Sequence, residues 1–219
     1  MKELVILDID NTILKGFSQG LFVDYLYKKG QISFFQKILI VFWFVLYKIG
    51  FIKNPKPAME YGLSFIKNKT LGEVDETVDD FFNTVWIKKI YPEMEKIIKD
   101  HQNKGRTLIL VSNAPDVLVE KLANYLKISE WVSTELEVKN GIYTGKIIDE
   151  IMYGEQKIKG LNKYINDRGL SLENSWGYGD HDTDMFLLSE VSHPVAVNPS
   201  GGLRSFAIKN NWQILKTKI

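Results

Sequence analysis

The apolar run Leu4-Val5-Ile6-Leu7 stops on Asp8-Ile9-Asp10-Asn11-Thr12, and this junction restricts the possible folds more than any other stretch of the chain. The run has the length of a buried strand and ends before a helix could begin. Side chains two apart on an extended chain project to the same side, so the carboxylates of Asp8 and Asp10 can face one point at the strand's end. Two anions at that spacing repel unless a cation or a shared proton lies between them. Read alone, the pair is equally a turn in which Asp and Asn satisfy loose backbone groups.

Whether a site can form there depends on what else reaches the same edge. Beyond Asp10, Leu21, Phe22, Tyr25 and Leu26 recur at helical spacing up to Gly30. The most apolar segment, 34–52, follows; its uninterrupted part, Ile38 to Tyr47, is ten residues between Lys37 and Lys48, against roughly 20 for a membrane span. A buried helix is the expectation for it, with contact to a membrane surface the alternative. Asn54-Pro55-Lys56-Pro57 breaks the pattern, helical stretches are expected over 58–69 and 71–90, and Tyr91-Pro92 opens another helix toward Gly105. Thr107 to Val111 reads as a strand ending on Ser112-Asn113, and Pro115-Asp116 opens a helix with Pro in its first turn. Asn140-Gly141 marks a hairpin between an extended 131–138 and Ile142-Tyr143. A helix over 155–169 leads to a strand at 175–179 that ends on Asp180, Asp182 and Asp184; Val195 to Val197 is the last expected strand, and a helix over 203–210 follows.

Strands alternating with helices predict an α/β fold: a three-layer, Rossmann-like parallel sheet core with an inserted all-helical cap. The core is expected over 1–15 and 101–219 and the cap over 16–100. Ligands of such sheets sit beyond the carboxyl ends of the strands, and Asp8/Asp10, Ser112/Asn113 and Asp180/Asp184 all fall there. Several carboxylates at one edge require a cation. All-oxygen ligands, with no cysteine in the 219 residues and no histidine pair at zinc spacing, select a hard ion such as Mg²⁺. Mg²⁺ completes its octahedron with waters and substrate phosphate, which points to a small phosphorylated substrate. The net charge of +1 argues against nucleic acid as partner. Absence of cysteine is compatible with the cytoplasm, and Met-Lys-Glu leads straight into a strand without a signal-peptide core.

In order, Asp8-Ile9-Asp10-Asn11-Thr12, Ser112-Asn113, Lys157 and Gly179-Asp180-His181-Asp182-Thr183-Asp184 resemble the four motifs of the haloacid dehalogenase-like phosphohydrolases. Asn140 to Gly145, Tyr153 to Lys157 and His193 to Pro199 resemble the phosphoserine-phosphatase-like branch. The resemblance implies a Mg²⁺-dependent phosphatase working through an aspartyl-phosphate. Asp8 would be the nucleophile and Asp10 the acid/base. Asp8, Asp180 and the Asp10 backbone would hold the metal, with Asp184 behind them. Ser112, the Asn113 amide and Lys157 would bind the phosphoryl group. Phosphomutase or phosphotransferase chemistry with the same site, and a non-catalytic membrane- or partner-binding role, are the alternatives.

Taken singly, these residues have plainer readings. Lys157 shares its helix with Lys159 and Lys163 and reads as a solvated face; Ser112 could cap the helix after Pro115; Asp182 reads as a helix-start cap. His181 stands where similar proteins carry a serine, and His101 and His193 read as structural or surface residues. The cap aromatics read as cap core. Phosphoserine phosphatases use a cap glutamate and a cap arginine for the amino acid, whereas 11–23 here has no acid and the arginines are Arg106, Arg168 and Arg204. The aromatic cap suits a larger or more apolar phosphomonoester.

Overall fold

The computed structural model describes residues 3–48, 51 and 54–218. Six parallel strands form one sheet: β1 (Leu4–Leu7), β2 (Thr107–Pro115), β3 (Glu130–Thr134), then, after the hairpin β4 (Leu136–Lys139) and β5 (Ile142–Ile147), β6 (Trp176–Gly179), β7 (His193–Val197) and β8 (Gln213–Leu215). Their order is β3-β2-β1-β6-β7-β8. The chain therefore works outward from β1 in one direction and then from β1 in the other, and the switch point lies between β1 and β6, where open α/β sheets bind ligands.

All four residues of β1 are buried, as a strand covered on both faces requires. Alternation assigns its side chains to two cores. Val5 and Leu7 join Leu108 and Leu110 under α5 (Pro92–Asn103) and α6 (Asp116–Leu126). Leu4 and Ile6 join Ile109 and Val111 under α7 (Glu155–Asp167), α8 (Met185–Glu190) and α9 (Gly201–Lys209). These are the three layers of the expected core.

Between β1 and α5 lie α1 (Ser18–Lys28), α2 (Phe34–Lys48), α3 (Lys56–Gly62) and α4 (Leu71–Phe81). The expected helix at 58–69 is split into α3 and a 3₁₀ turn at Ser64–Ile66, and the one at 71–90 is α4 followed by a π turn, Phe82–Trp86, and a 3₁₀ turn, Ile87–Lys89. Thr70 and Glu73 close a capping box that fixes the start of α4. The chain leaves and re-enters the core side by side: Lys15 N–H donates to Lys89 O (2.8 Å) and Tyr91 N–H to Ile13 O (2.9 Å). α5 packs Met94 and Ile98 into the same core as α6.

Two expectations fail here. α2 was expected to be buried, but none of its side chains described is: Phe34, Phe35, Ile38, Phe42 and Val45 are all exposed, Phe35 by 83%. The reason is that α1 and α4 already fill the insertion's interior, with Phe22 and Phe81 rings 4.9 Å apart and Trp86 at 5.5 Å from Phe81, so α2 lies across the outside and, of its described side chains, Ile40 packs on that cluster as a partly buried neighbour. Residues 49, 50 and 52 of the apolar segment lie outside the described residues. No described helix is long and apolar enough to cross a membrane. Secondly, β7 is not the last strand: β8 follows α9 and pairs with β7 through Ala196 and Ile214. The Asn140-Gly141 hairpin is as expected, with φ of 53° and 75°, the two positive values of a type I′ turn.

Candidate active site

The switch point gathers the sequence-predicted residues. Asp8 follows β1 directly, and its N–H donates to Tyr178 O at 3.0 Å, continuing the β1–β6 pairing by one residue so that the carboxylate emerges at the sheet edge. Asp180 follows β6 in the same way. Asp8, Asp180 and Asp184 each bring a carboxylate oxygen within 4.8 Å of the others. Gly179 is what lets Asp184 come so close: a Cβ there would lie 2.8 Å from the Asp184 Cβ.

Lys157 does not belong to a solvated face. It is buried in the first turn of α7, and its ammonium lies 2.5 Å from Asp8 Oδ1 and 3.0 Å from Asp184 Oδ1. The helix is aimed by Gly154 at its N-cap, whose φ of 57° with ψ of −125° suits glycine alone. On β2 the ladder with β3 breaks register between Val111 and Pro115, a bulge of the kind that re-aims groups beside a site. Ser112, 1% exposed, lies in it. Its Oγ accepts from Ala114 N–H (3.2 Å), and α6 has no side-chain cap, so Ser112 does not cap that helix. The Asn113 carbonyl is held by Gln19 Nε2 and Thr134 Oγ1, each at 3.0 Å.

Asp10 faces a different partner. Ser18 donates its N–H to Oδ1 (2.8 Å) and its Oγ–H to Oδ2 (3.1 Å), tying the carboxylate to the first turn of α1. Asp182 does cap a helix, but α9 and not its own: its Oδ1 accepts from Leu203 N–H (2.7 Å) and from the Ser200 hydroxyl. His181 bonds locally, its Nδ1 accepting from Thr183 N–H (3.3 Å). Ser18 and Gln19 escaped the sequence reading, and Asn198 stood only within the stretch 193–199, with no role given to it. The Asn198 amide donates to Asn11 O (3.4 Å) and Thr217 Oγ1 (2.6 Å), tying the loop after β1 to the chain beyond β8.

Electrostatically the cluster is unfinished. Four carboxylates face one ammonium. Burial pushes Asp8 up to about 7, with Lys157 opposing and Asp184 adding to the rise. Burial pushes Asp180 up to about 8, reinforced by Asp8 and Asp184. Asp10 rises to about 6 through burial, restrained by its two bonds from Ser18. Burial disfavours the Lys157 ammonium, but Asp184 and Asp8 outweigh it and hold its pKa above the ordinary value. The excess negative charge, the all-oxygen donors and their spacing fit a hard divalent cation held by Asp8, Asp180 and Asp184.

The family model of haloacid dehalogenase-like hydrolases matches residues 5–189, and the chain belongs to that family. Along its whole length it is similar to a histidinol-phosphatase of Neisseria meningitidis serogroup C, 28% identical over 223 residues and covering all of both chains. It is 24% identical over 215 residues to phosphoserine phosphatase SerB1 of Mycobacterium tuberculosis, covering 97% of this chain and 70% of that one. A solved structure of a protein of unknown function from Bordetella pertussis Tohama I superposes with a TM-score of 0.89 at 24% identity, covering 98% of each chain, and shares the fold.

Proposed function

We propose that this family phosphatase hydrolyses a phosphomonoester through a phosphoryl group carried on Asp8. The observation behind the reading is the convergence of Asp8, Asp180, Asp184 and Lys157 at the switch point, with Asp10 close to Asp8 and Ser112 on β2, the strand paired with β1. Asp8 attacks phosphorus, the bond from phosphorus to the substrate's alcohol oxygen breaks, and Asp10 gives that oxygen its proton. Asp10 then takes a proton from the water that attacks the aspartyl-phosphate, releasing phosphate and the free Asp8 carboxylate. The pKa of Asp10, near 6, lets it alternate between the two states near neutrality. Ser112 and the Asn113 amide hydrogen-bond the phosphoryl oxygens, and Lys157 orients Asp8 and offsets charge. Asp8, Asp180 and the Asp10 carbonyl, with Asp184 in support, would hold Mg²⁺, and the chemistry it would supply there is neutralisation of phosphoryl charge. The helices of the insertion act as a cap over Asp8. A chain without cysteine is compatible with the cytoplasm as its compartment.

Asp8→Asn is expected to lower phosphate release from p-nitrophenyl phosphate by at least about 10³-fold, on the order of 4 kcal/mol of barrier, with an unchanged circular dichroism spectrum. Wild-type turnover in that variant would refute the assignment. Steady phosphate release with no added acceptor separates hydrolysis from phosphoryl transfer.

A further inference from the structure

The cavity above Asp10 and Asn113 has walls unsuited to a small charged metabolite. Its volume is about 240 Å³, and it runs from those two residues past Phe17, Gly20 and Leu63 to Trp43 and Phe44 of α2. Among the described residues lining it there is no Lys, Arg or His to receive a substrate carboxylate. Its acid above the site, Asp24, is exposed and engaged by Lys37 at 2.7 Å. The remaining lining is predominantly aliphatic and aromatic.

α2 belongs to this cavity and to the outer surface at once. Ile40, Val41, Trp43 and Phe44 line the cavity, while Phe34, Phe35, Ile38, Phe42 and Val45 are exposed. An exposed apolar surface of this extent marks an interaction face. Along the sequence from Tyr25 to Met59 there is no Asp or Glu, against six lysines, Lys28, Lys29, Lys37, Lys48, Lys53 and Lys56, of which Lys37 pairs with Asp24 and Lys29 with Asp80. A second copy docking through the same face would set like charges against each other. An anionic bilayer surface matches both the apolar helix and the lysines.

We propose that the substrate is a lipid phosphomonoester: the cavity takes its hydrocarbon portion beside the phosphate site, and the outer face of α2 seats the enzyme on the anionic membrane surface that presents it. This rests on the phosphatase reading above and names the substrate class for it.

The test measures kcat/KM on 1-oleoyl lysophosphatidate in phosphatidylcholine/phosphatidylglycerol vesicles, on L-phosphoserine, on L-histidinol phosphate and on p-nitrophenyl phosphate, together with flotation of the full chain on those vesicles. The protein is expected to float with anionic vesicles and to prefer lysophosphatidate to phosphoserine and histidinol phosphate by tenfold or more. Phe35→Asp/Phe42→Asp, at two exposed positions, should abolish flotation and lower the lysophosphatidate-to-p-nitrophenyl phosphate ratio tenfold. Gly20→Phe, where an added Cβ meets only the Phe17 Cβ at 3.9 Å, should lower the same ratio by obstructing the cavity while flotation persists. A general folding defect would lower both rates together and leave the ratio at its wild-type value, which counts against the proposal. It is overturned by a preference for phosphoserine or histidinol phosphate, by absence of flotation, or by a dimer that the Phe35/Phe42 variant converts to monomer without any vesicle binding. If p-nitrophenyl phosphate and the other three all release no phosphate, the phosphatase reading itself falls and takes this substrate with it.

Discussion

Asp8 and Asp10 are two residues apart and chemically unlike, because each has a different neighbour. Lys157 lies against Asp8 and opposes the rise that burial imposes on its pKa, whereas Asp10 is tied by both oxygens to Ser18. Ser18 is fully buried, and its role is to position Asp10. Ser18→Ala removes the hydroxyl bond and leaves the amide bond. It is expected to lower kcat roughly tenfold, about 1.4 kcal/mol, with KM little changed; steady-state kinetics on p-nitrophenyl phosphate read this directly. An equal fall with Ser18→Thr, which keeps the hydroxyl, would argue that packing and not the bond is at stake. The Asp pair was legible from the strand that ends on it. Ser18 was not, since a serine eight residues away at a helix start carries no mark of what it bonds. Lys157 was legible only through the ordered motifs, because periodicity alone cannot separate it from the nearby Lys159 and Lys163.

Elements decide where these side chains arrive. α7 delivers Lys157, and its approach depends on Gly154, held at φ 57° and ψ −125° with open space around the absent Cβ. Gly154→Ala therefore meets no clash but pays backbone strain of about 1–3 kcal/mol, which corresponds to a Tm fall of roughly 2–4 °C per kcal/mol in a domain of this size. Activity should fall with it as Lys157 shifts. Thermal denaturation and turnover of the same preparation check both. Strands with buried, branched runs such as β1 and β2, and the Asn140-Gly141 turn, could be read from local chemistry. The fate of α2 could not. A helix apolar on every side has no stripe to say which face is inward, and its exposure follows from α1 and α4 having already filled the space. β8 was missed because Gln213-Ile214-Leu215 is three residues long and draws its pairing from β7.

For the whole molecule, sheet topology locates the site and buried ionisable groups set its pH response. His101, in the last turn of α5, faces β6, its Nδ1 accepting from Arg106 (2.9 Å) and its Nε2 donating to the Tyr178 hydroxyl (2.8 Å). Arg106 is paired with Glu3 and stacks 3.5 Å from the Trp176 ring centre. Burial, then Arg106, lowers the His101 pKa from 6.5 to about 4. Between those values the unfolded chain takes up a proton that the folded chain refuses. Stability from this residue is therefore complete above pH 6.5 and falls as pH drops toward 4, by at most about 3 kcal/mol. The raised carboxylates of Asp8, Asp10 and Asp180 act oppositely: the fold retains their protons above the unfolded pKa, so their contribution is lost as pH rises. Comparing urea denaturation of wild type and His101→Gln from pH 4 to 6.5 isolates the histidine: the variant should lose the acid-side slope.

The central claim is that Asp8 carries the phosphoryl group. Acid-quenching the enzyme during turnover of a ³²P-labelled phosphomonoester, with Mg²⁺ present, and mapping the labelled peptide by mass spectrometry tests it most directly. The account predicts label on Asp8 in wild type and none in Asp8→Asn. Label on another residue, or rapid phosphate release by enzyme that never becomes labelled, would contradict it.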